Sequence, residues 1–488
     1  MLRGAFSGRM ATHVIMAGVL SLLLAVTVVA LPDMVALWLV AGSGIVALVV
    51  LEPMSAFLLL PFAIAFGSLA SISVLHVNIG PTDLMVGALS VRWLTDHRHN
   101  LRHMQSGSYI NRWRSASQSE RTQIAVCLAL AAYLVVVCLS MLVAADRVAA
   151  LKEIIKWSEA LVVMGLCASY LRTERRVHAV VWATIGAATA EALLGYAQWV
   201  MATGQAGPGG EDLRVYGTFA QPNPYGGFLN FGLLLALALA LFGRDFRERC
   251  LAAGAGVLLL GAQALAGSRG ALLGLLAALI VIVTIGWRRE RLVAIIAMVS
   301  IPLIAIGWLT NFIPERIQQA TIAQLRISDA LNGAVTSANF STVERLAHWI
   351  AGLRMFAAHP ILGVGAGNYD AAYAMYALPD WPDALGHAHN YYINVAAETG
   401  ILGFVAFLTL TAATLYLGVY AVRHTGLSGA LPSSQRAIAL GLFGAVVALA
   451  VHNLTDDLFV HAMELQFALT LGCLIALLRM NAARQSSW

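Results

Sequence analysis

The chain has 488 residues, 59% of them hydrophobic and only 11% charged, with a mean hydropathy of +0.77 and a formal net charge of +5. Soluble domains carry about 25% charged residues, so a string of soluble domains is excluded and a series of membrane helices is implied. The positive charge does not call for a nucleic-acid partner, because it concentrates in the connections between apolar stretches.

About fourteen membrane segments are expected, near 11–31, 34–51, 54–75, 80–94, 122–143, 153–171, 177–200, 222–242, 250–266, 271–287, 292–312, 390–421, 437–451 and 458–478. The start MLRGAFSGRM, followed by ATHVIMAGVLSLLLAVTVVAL, imitates a cleaved export signal, but the many later segments favour a retained first helix. Placing both ends in the cytoplasm puts 21 of the 30 lysines and arginines inside, including the tight clusters RDFRER and RRER. The same parity sends the 201–221 connection, the GSRG turn at 267–270 and the 312–390 segment to the opposite face.

The 92–121 connection is basic and contains His97, His99 and His103, yet it has no cysteine and few acidic residues. A patch beside anionic inner-leaflet lipid accounts for it better than a metal or nucleic-acid site. Cys127, Cys138, Cys167 and Cys473 lie in apolar spans and Cys250 begins one; no metal or redox spacing links them.

The longest interruption is the 312–390 segment. Within it TVERLAHWIAGLRMFAAH reads as an amphipathic helix with an apolar stripe of Leu346, Trp349, Ile350, Leu353 and Phe356, closed by Pro360. GVGAGN then supplies a turn whose glycines allow close approach to a ligand or another helix. No βαβ context surrounds Gly363, Gly365 and Gly367, so a dinucleotide fingerprint is rejected. The segment is expected to form a small extracytoplasmic helical cap.

Three polar side chains stand out around it. Arg214 lies in GGEDLRVYGTFAQPNPYGG among Tyr216, Gln221 and Asn223, and could be either an interfacial arginine or a ligand contact. Arg269 sits in AGSRGALLG between two apolar helices, where a charge is costly without solvent, a partner or an anionic ligand. HAHNYYINVAAE brings His387 and His389, followed by Asn390 and Glu398. Two histidines at i,i+2 with no third ligand forced to converge argue against a metal site. A neutral imidazole can accept a proton, and arginine forks fit phosphate oxygens. Together they suggest chemistry on a lipid-linked phosphate substrate, against the alternative of a wet structural cluster. VHNLTDDLFVH adds His452, Asp456 and Asp457 in another outer connection, as acceptor contacts, a cation site or an ordinary polar loop, with adjacent carboxylates that project differently counting against the cation.

In order along the chain, RVYGTFAQPNPYGG, GSRGALLG, ERLAHWIAGLRMFAAHPILGVGAGNY and HAHNYYINVAAETGILG resemble the O-antigen ligase and polysaccharide polymerase superfamily of bacterial membrane glycosyltransferases. The last stretch also fits the ligases' pattern of His and Asn, nine residues, Gly, two residues and Gly, at His389, Asn390, Gly400 and Gly403.

The resemblance implies an all-α polytopic membrane protein of GT-C-like architecture. Its expected parts are an N-terminal transmembrane bundle at 1–311, an extracytoplasmic cap at 312–389 and C-terminal transmembrane helices at 390–488. The implied activity is metal-independent, inverting transfer of an oligo- or polysaccharide from undecaprenyl diphosphate to an acceptor hydroxyl on a glycan, glycolipid or protein, without a cofactor. The implied location is the bacterial inner membrane, with the active site on the periplasmic face. His389 receives the catalytic role, and Arg214 and Arg269 receive the diphosphate. His387, Asn390, Arg345, Arg354, Glu398, His452 and Asp456 are candidates for acceptor contact or for support of the catalytic group. Polymerisation onto a lipid-linked repeat unit, and non-enzymatic polysaccharide transport, stay open as alternatives.

Overall fold

The computed structural model describes residues 33–70, 72–74, 77–102, 116–206, 213–243, 245–286, 335, 340–425 and 434–485. The expected first and eleventh spans, 11–31 and 292–312, lie outside these residues, as does most of the 312–339 stretch.

The described chain is all-α apart from two short antiparallel ribbons. It runs through α1 (Asp33–Leu51), α2 (Met54–Phe66), β1 (Ile72–Val74), β2 (Val77–Ile79), α3 (Pro81–Arg102), α4 (Gln118–Ser140), α5 (Arg147–Tyr170) and α6 (Glu174–Val200). After β3 (Gln205–Ala206) and β4 (Leu213–Arg214) come α7 (Pro222–Phe242), α8 (Phe246–Ala266) and α9 (Arg269–Gly286). Next come α10 (Phe340–Ala358), α11 (Tyr369–Tyr376), α12 (Tyr391–His424), α13 (Ser434–His452) and α14 (Met463–Gln485). Among the described residues 7 helices are long and apolar enough to cross a membrane: α4, α6, α7, α8, α12, α13 and α14. The protein is thus a multi-pass helical membrane protein.

Burial ranks these helices. The most apolar stretches of α7, α13 and α14 are 83%, 78% and 89% buried, whereas those of α8 and α12 are 33% buried. The first group forms the centre and the second leaves much of its surface for lipid. Small residues make the centre possible: Gly232 packs against Ala188 of α6, and Gly441 packs against Leu234 and Leu235 of α7.

Three expectations shift. The predicted 54–75 span breaks after Phe66 into a 3-10 turn at Gly67–Ala70 and the β1–β2 ribbon, where Ile72 pairs with Ile79. The helix expected at 153–171 begins earlier, at Arg147, because it absorbs its charges, and it is not among the 7. Asp146 caps its first turn, and Lys156 donates to Glu153 at 2.6 Å and to the Phe459 carbonyl at 3.2 Å. The amphipathic cap helix forms as α10, but its buried face is Val343, Ala347, His348, Ala351, Gly352 and Met355, while Leu353 is 51% exposed. The small residues win that face because α10 lies close against α12; a Cβ on Gly352 would sit 2.8 Å from Ile393 Cγ2.

The glycine turn locks the cap down. Gly363, Gly365 and Gly367 all have positive φ. A Cβ at Gly365 would stand 2.6 Å from Ala144, and one at Gly367 would stand 2.8 Å from the Ala149 carbonyl. On the other side this turn meets a break in α12, where Gly400 adopts φ 63° and ψ −162°. The polar groups freed by the break are satisfied there: Val364 and Gly365 donate to the Ala397 and Glu398 carbonyls at 3.0 and 2.9 Å, and Ile401 donates to Pro360 at 2.8 Å.

Candidate active site

The N-terminus of α12 builds the centre of the site. Asn390 caps the helix by accepting from the Tyr392 and Ile393 amides at 3.0 and 3.2 Å. Its own amide reaches the Leu454 carbonyl at 2.9 Å, and the Tyr391 amide donates to Asn453 and Asp456 carbonyls. The 453–456 loop is therefore clamped to the start of α12. His389, just before the cap, is held at φ 50°, in the left-handed region that non-glycine residues rarely occupy. Three contacts over-determine it: its amide donates to His387 Nδ1 at 3.1 Å, its carbonyl accepts from Trp349 at 3.3 Å, and its Nδ1 meets Asp456 Oδ1 at 3.3 Å.

The direction of the last bond fixes the chemistry of the ring. Asp456 accepts, so His389 Nδ1 carries a proton, and in the neutral ring Nε2 keeps its lone pair. Nε2 is buried and makes no hydrogen bond among the described residues. Burial alone would raise Asp456, but the His389 hydrogen bond and the charges of His387, His389 and His452 outweigh it and hold the carboxyl well below the usual range. Asp457 has its carboxylate turned to the Phe459 amide at 2.8 Å, and burial raises it. His387 Nε2 lies 3.9 Å from Asp456, and burial pulls this imidazole down against the opposing pull of Asp457 and Asp456.

Asn223 extends the site toward the arginines. Its amide nitrogen donates to Asp456 Oδ2 at 2.6 Å, and its oxygen accepts from Arg214 at 3.2 Å and from the Ser268 hydroxyl at 2.9 Å. Arg214 also donates through Nε to the Ala266 carbonyl at 2.9 Å. The loop carrying it is pinned by the end of α6. Gln198 accepts from the Tyr216 and Gly217 amides, and the fully buried Glu191 accepts from the Thr218 amide and hydroxyl.

The GSRG turn supplies the second arginine. Gly267 closes α8 at φ 60°, and Ser268 accepts from the Ala271 amide at 3.3 Å to start α9. Arg269 projects from that first turn and donates to Ser341 on α10 at 3.1 Å. Arg345, one turn further along α10, reaches the Ser341 carbonyl at 3.4 Å. Arg214, Arg269 and Arg345 have no ion-pair partner among the described residues. Burial lowers Arg214, and the neighbouring Arg345 and Arg269 guanidiniums add to that effect. Three like charges beside a helix start have the chemistry that suits an anionic ligand.

The remaining sequence candidates divide. His452 is buried against Gly270, which has no side chain to keep it away, and neither ring nitrogen is bonded among the described residues. Arg354 turns away and donates to the Tyr376 and Ala377 carbonyls at the end of α11. Glu398 is buried behind the glycine turn and accepts from the Tyr369 amide at 3.1 Å. His348, outside the apolar stripe expected for this helix, is buried edge-on to His389 with ring centroids 5.4 Å apart.

The ligand atoms of His387, His389 and Asp456 lie within 4.8 Å of one another, so this trio could also hold a cation. The sequence argument against a metal rested on two histidines without a third ligand; Asp456 supplies that third group from a distant loop.

The residues from the second half of α8 through the first part of α12 match a known family model, that of O-antigen ligase, over 254–408. That stretch carries an O-antigen ligase domain. The ligase domain holds Arg269, Arg345, His387, His389, Asn390, Gly400 and Gly403, and leaves Arg214, Asn223 and Asp456 outside its limits. No curated protein matches the chain. The bond from Asn223 to Asp456 and the pairing of Asp456 with His389 are what sequence reasoning missed. The available signals were an asparagine fixed between two prolines and a carboxylate pair in an outer connection of the same parity.

Proposed function

We propose that this protein is a metal-independent, inverting glycosyltransferase of GT-C-like architecture. It transfers an oligo- or polysaccharide from undecaprenyl diphosphate to an acceptor hydroxyl at the periplasmic face of the bacterial inner membrane, as an O-antigen ligase. The observation that carries this reading is the unbroken chain His389–Asp456–Asn223–Arg214, which joins a proton acceptor to a phosphate-binding guanidinium.

The polyprenyl tail lies among the membrane helices while the diphosphate enters the arginine cluster. Arg214, Arg269 and Arg345 neutralise the diphosphate and favour the charge that grows as its bond to the anomeric carbon breaks. His389 Nε2 accepts the proton of the acceptor hydroxyl while that oxygen forms the new glycosidic bond from the opposite face. Attack from that side inverts the anomeric carbon, and the diphosphate departs with the bonding pair. Asp456 stabilises the imidazolium that results. Because Nε2 is buried, the acceptor must part the side chains that cover it, which also keeps water from the activated donor.

Reconstitution with a labelled undecaprenyl-diphosphate oligosaccharide and separate acceptors tests the reading. A single transfer to a non-polyprenyl acceptor, unchanged by EDTA, is expected; progressive lengthening on polyprenyl would make it a polymerase, and loss with EDTA would assign a cation to the His387–His389–Asp456 trio. His389→Ala is expected to fold, bind donor and lose transfer. Near-normal transfer by that variant would remove His389 from the base role.

A further inference from the structure

We infer that Asn223 is a positioning residue of the transfer reaction: its side-chain amide fixes the direction of the Asp456–His389 pair and couples that pair to the arginine on the diphosphate. The inference rests on the function proposed above and adds to it a residue that lies outside the ligase domain.

The geometry admits one orientation of this amide. A guanidinium only donates and a carboxylate only accepts, so the oxygen must face Arg214 and the nitrogen must face Asp456. The 2.6 Å bond to Asp456 Oδ2 leaves Oδ1 for His389 Nδ1 at 3.3 Å and the Asp457 amide at 3.0 Å. Each oxygen of the carboxylate thus has its own partners, and the group cannot rotate without losing them. Rotation would release the Nδ1 proton and with it the tautomer that leaves Nε2 free.

Asn223 is itself held stiffly. It stands between Pro222 and Pro224 in the first turn of α7, where proline presets the backbone angle, and α7 is among the three most buried of the spanning helices. Its oxygen also receives the Ser268 hydroxyl of the GSRG turn, so the loops bearing both diphosphate arginines converge on a single amide. A strut for the fold alone has no need of a partner set made of a proton-relay carboxylate and a phosphate-binding arginine.

The charged and titratable groups around Asp456 are His389 and His387 from the loop before α12, His452 from the end of α13 and the adjacent Asp457, with Arg214 and Arg345 beyond. Removing the Asn223 donor leaves the carboxylate less satisfied and more basic. The carboxylate can then turn, and the Nδ1–H tautomer of His389 is no longer fixed.

The test uses full-length protein in nanodiscs with labelled polyprenyl-diphosphate oligosaccharide as the donor. Asn223→Ala is expected to lower kcat roughly a hundredfold, with a smaller change in donor KM. The 15N resonance of His389 Nδ1, fixed as N–H beside Asp456 in the wild type, should move toward a position averaged over both tautomers. Asn223→Asp, of the same size, guards against misfolding of the first variant. It should disturb the tautomer in the same way, because a carboxylate has no N–H to give Asp456, and it should weaken donor binding by pairing with Arg214. Folded variants that lose activity but keep the wild-type His389 tautomer signal would make Asn223 a structural strut and overturn the inference, as would variants with wild-type kcat. If wild-type protein transfers no sugar under any of these conditions, the glycosyl-transfer reading itself falls, and the Asn223 role falls with it.

Discussion

In the proposed transfer, Asp456 accepts from His389 Nδ1 and leaves Nε2 to take the proton, while its own lowered pKa keeps it from acting as the base. Held below the usual carboxylate range, it stays ionised across the range in which transfer would operate. Asp456→Asn keeps the shape but can present an amide N–H to the ring, which puts the proton on the wrong nitrogen. Turnover measured on the purified variant should fall on the order of a thousandfold or more, with donor affinity little changed. His348 makes a prediction of opposite kind. Burial, aided by His389 and His387, lowers it to about 4, so the ring is neutral in the folded cap. In the unfolded chain it protonates near the ordinary imidazole value of about 6.5. Between those values the unfolded state binds more protons, so stability contributed by His348 is full at neutral pH and declines as pH falls toward about 4. Thermal unfolding of His348→Asn should show a flatter pH slope across that window than wild type; equal slopes would reject the assignment.

The elements that matter most are the glycine turn at 363–367 and the broken helix α12. An unbroken α12 of 34 residues would extend for about 50 Å, well beyond a hydrocarbon core of about 30 Å. The break at Gly400 separates a first segment at the site from the longer segment that crosses the membrane. The turn covers that break, and it fits only because its glycines bring backbone against backbone. Gly365→Ala would place a methyl against Ala144 and force an alanine to φ 103°. A loss of about 2–5 kcal/mol is expected, seen as a lower unfolding temperature and faster protease cleavage within 340–390. A variant as resistant as wild type would show that the cap is held by other contacts.

For the whole molecule, the site forms where helix ends from opposite parts of the chain meet at one end of the bundle. The starts of α7, α9 and α12 and the ends of α8 and α13 all contribute. The proposed face is periplasmic. In a cysteine-free background, Leu385→Cys in the exposed cap loop should react with a membrane-impermeant maleimide on intact spheroplasts, and Arg247→Cys at the start of α8 should not. The reverse pattern would invert the topology and remove the site from the periplasm.

Apolar length and charges set among apolar residues are local properties, so the membrane class, most of the helix positions and the candidacy of Arg214 and Arg269 were legible in the chain, while His389 stood out by its motif. The glycine spacing likewise announced a close approach at 363–367, though not against which helix. Only the tertiary structure decided that Asp456 pairs with His389, that Asn223 joins them to Arg214, and that Arg354 and Glu398 are occupied elsewhere. It also set the buried face of α10, where small residues displaced the larger apolar stripe. These outcomes depend on which surfaces meet across more than two hundred residues of chain (Asn223 and Asp456 are separated by 233 positions), and a hydrogen bond between distant side chains leaves no periodicity or spacing in the sequence to be read.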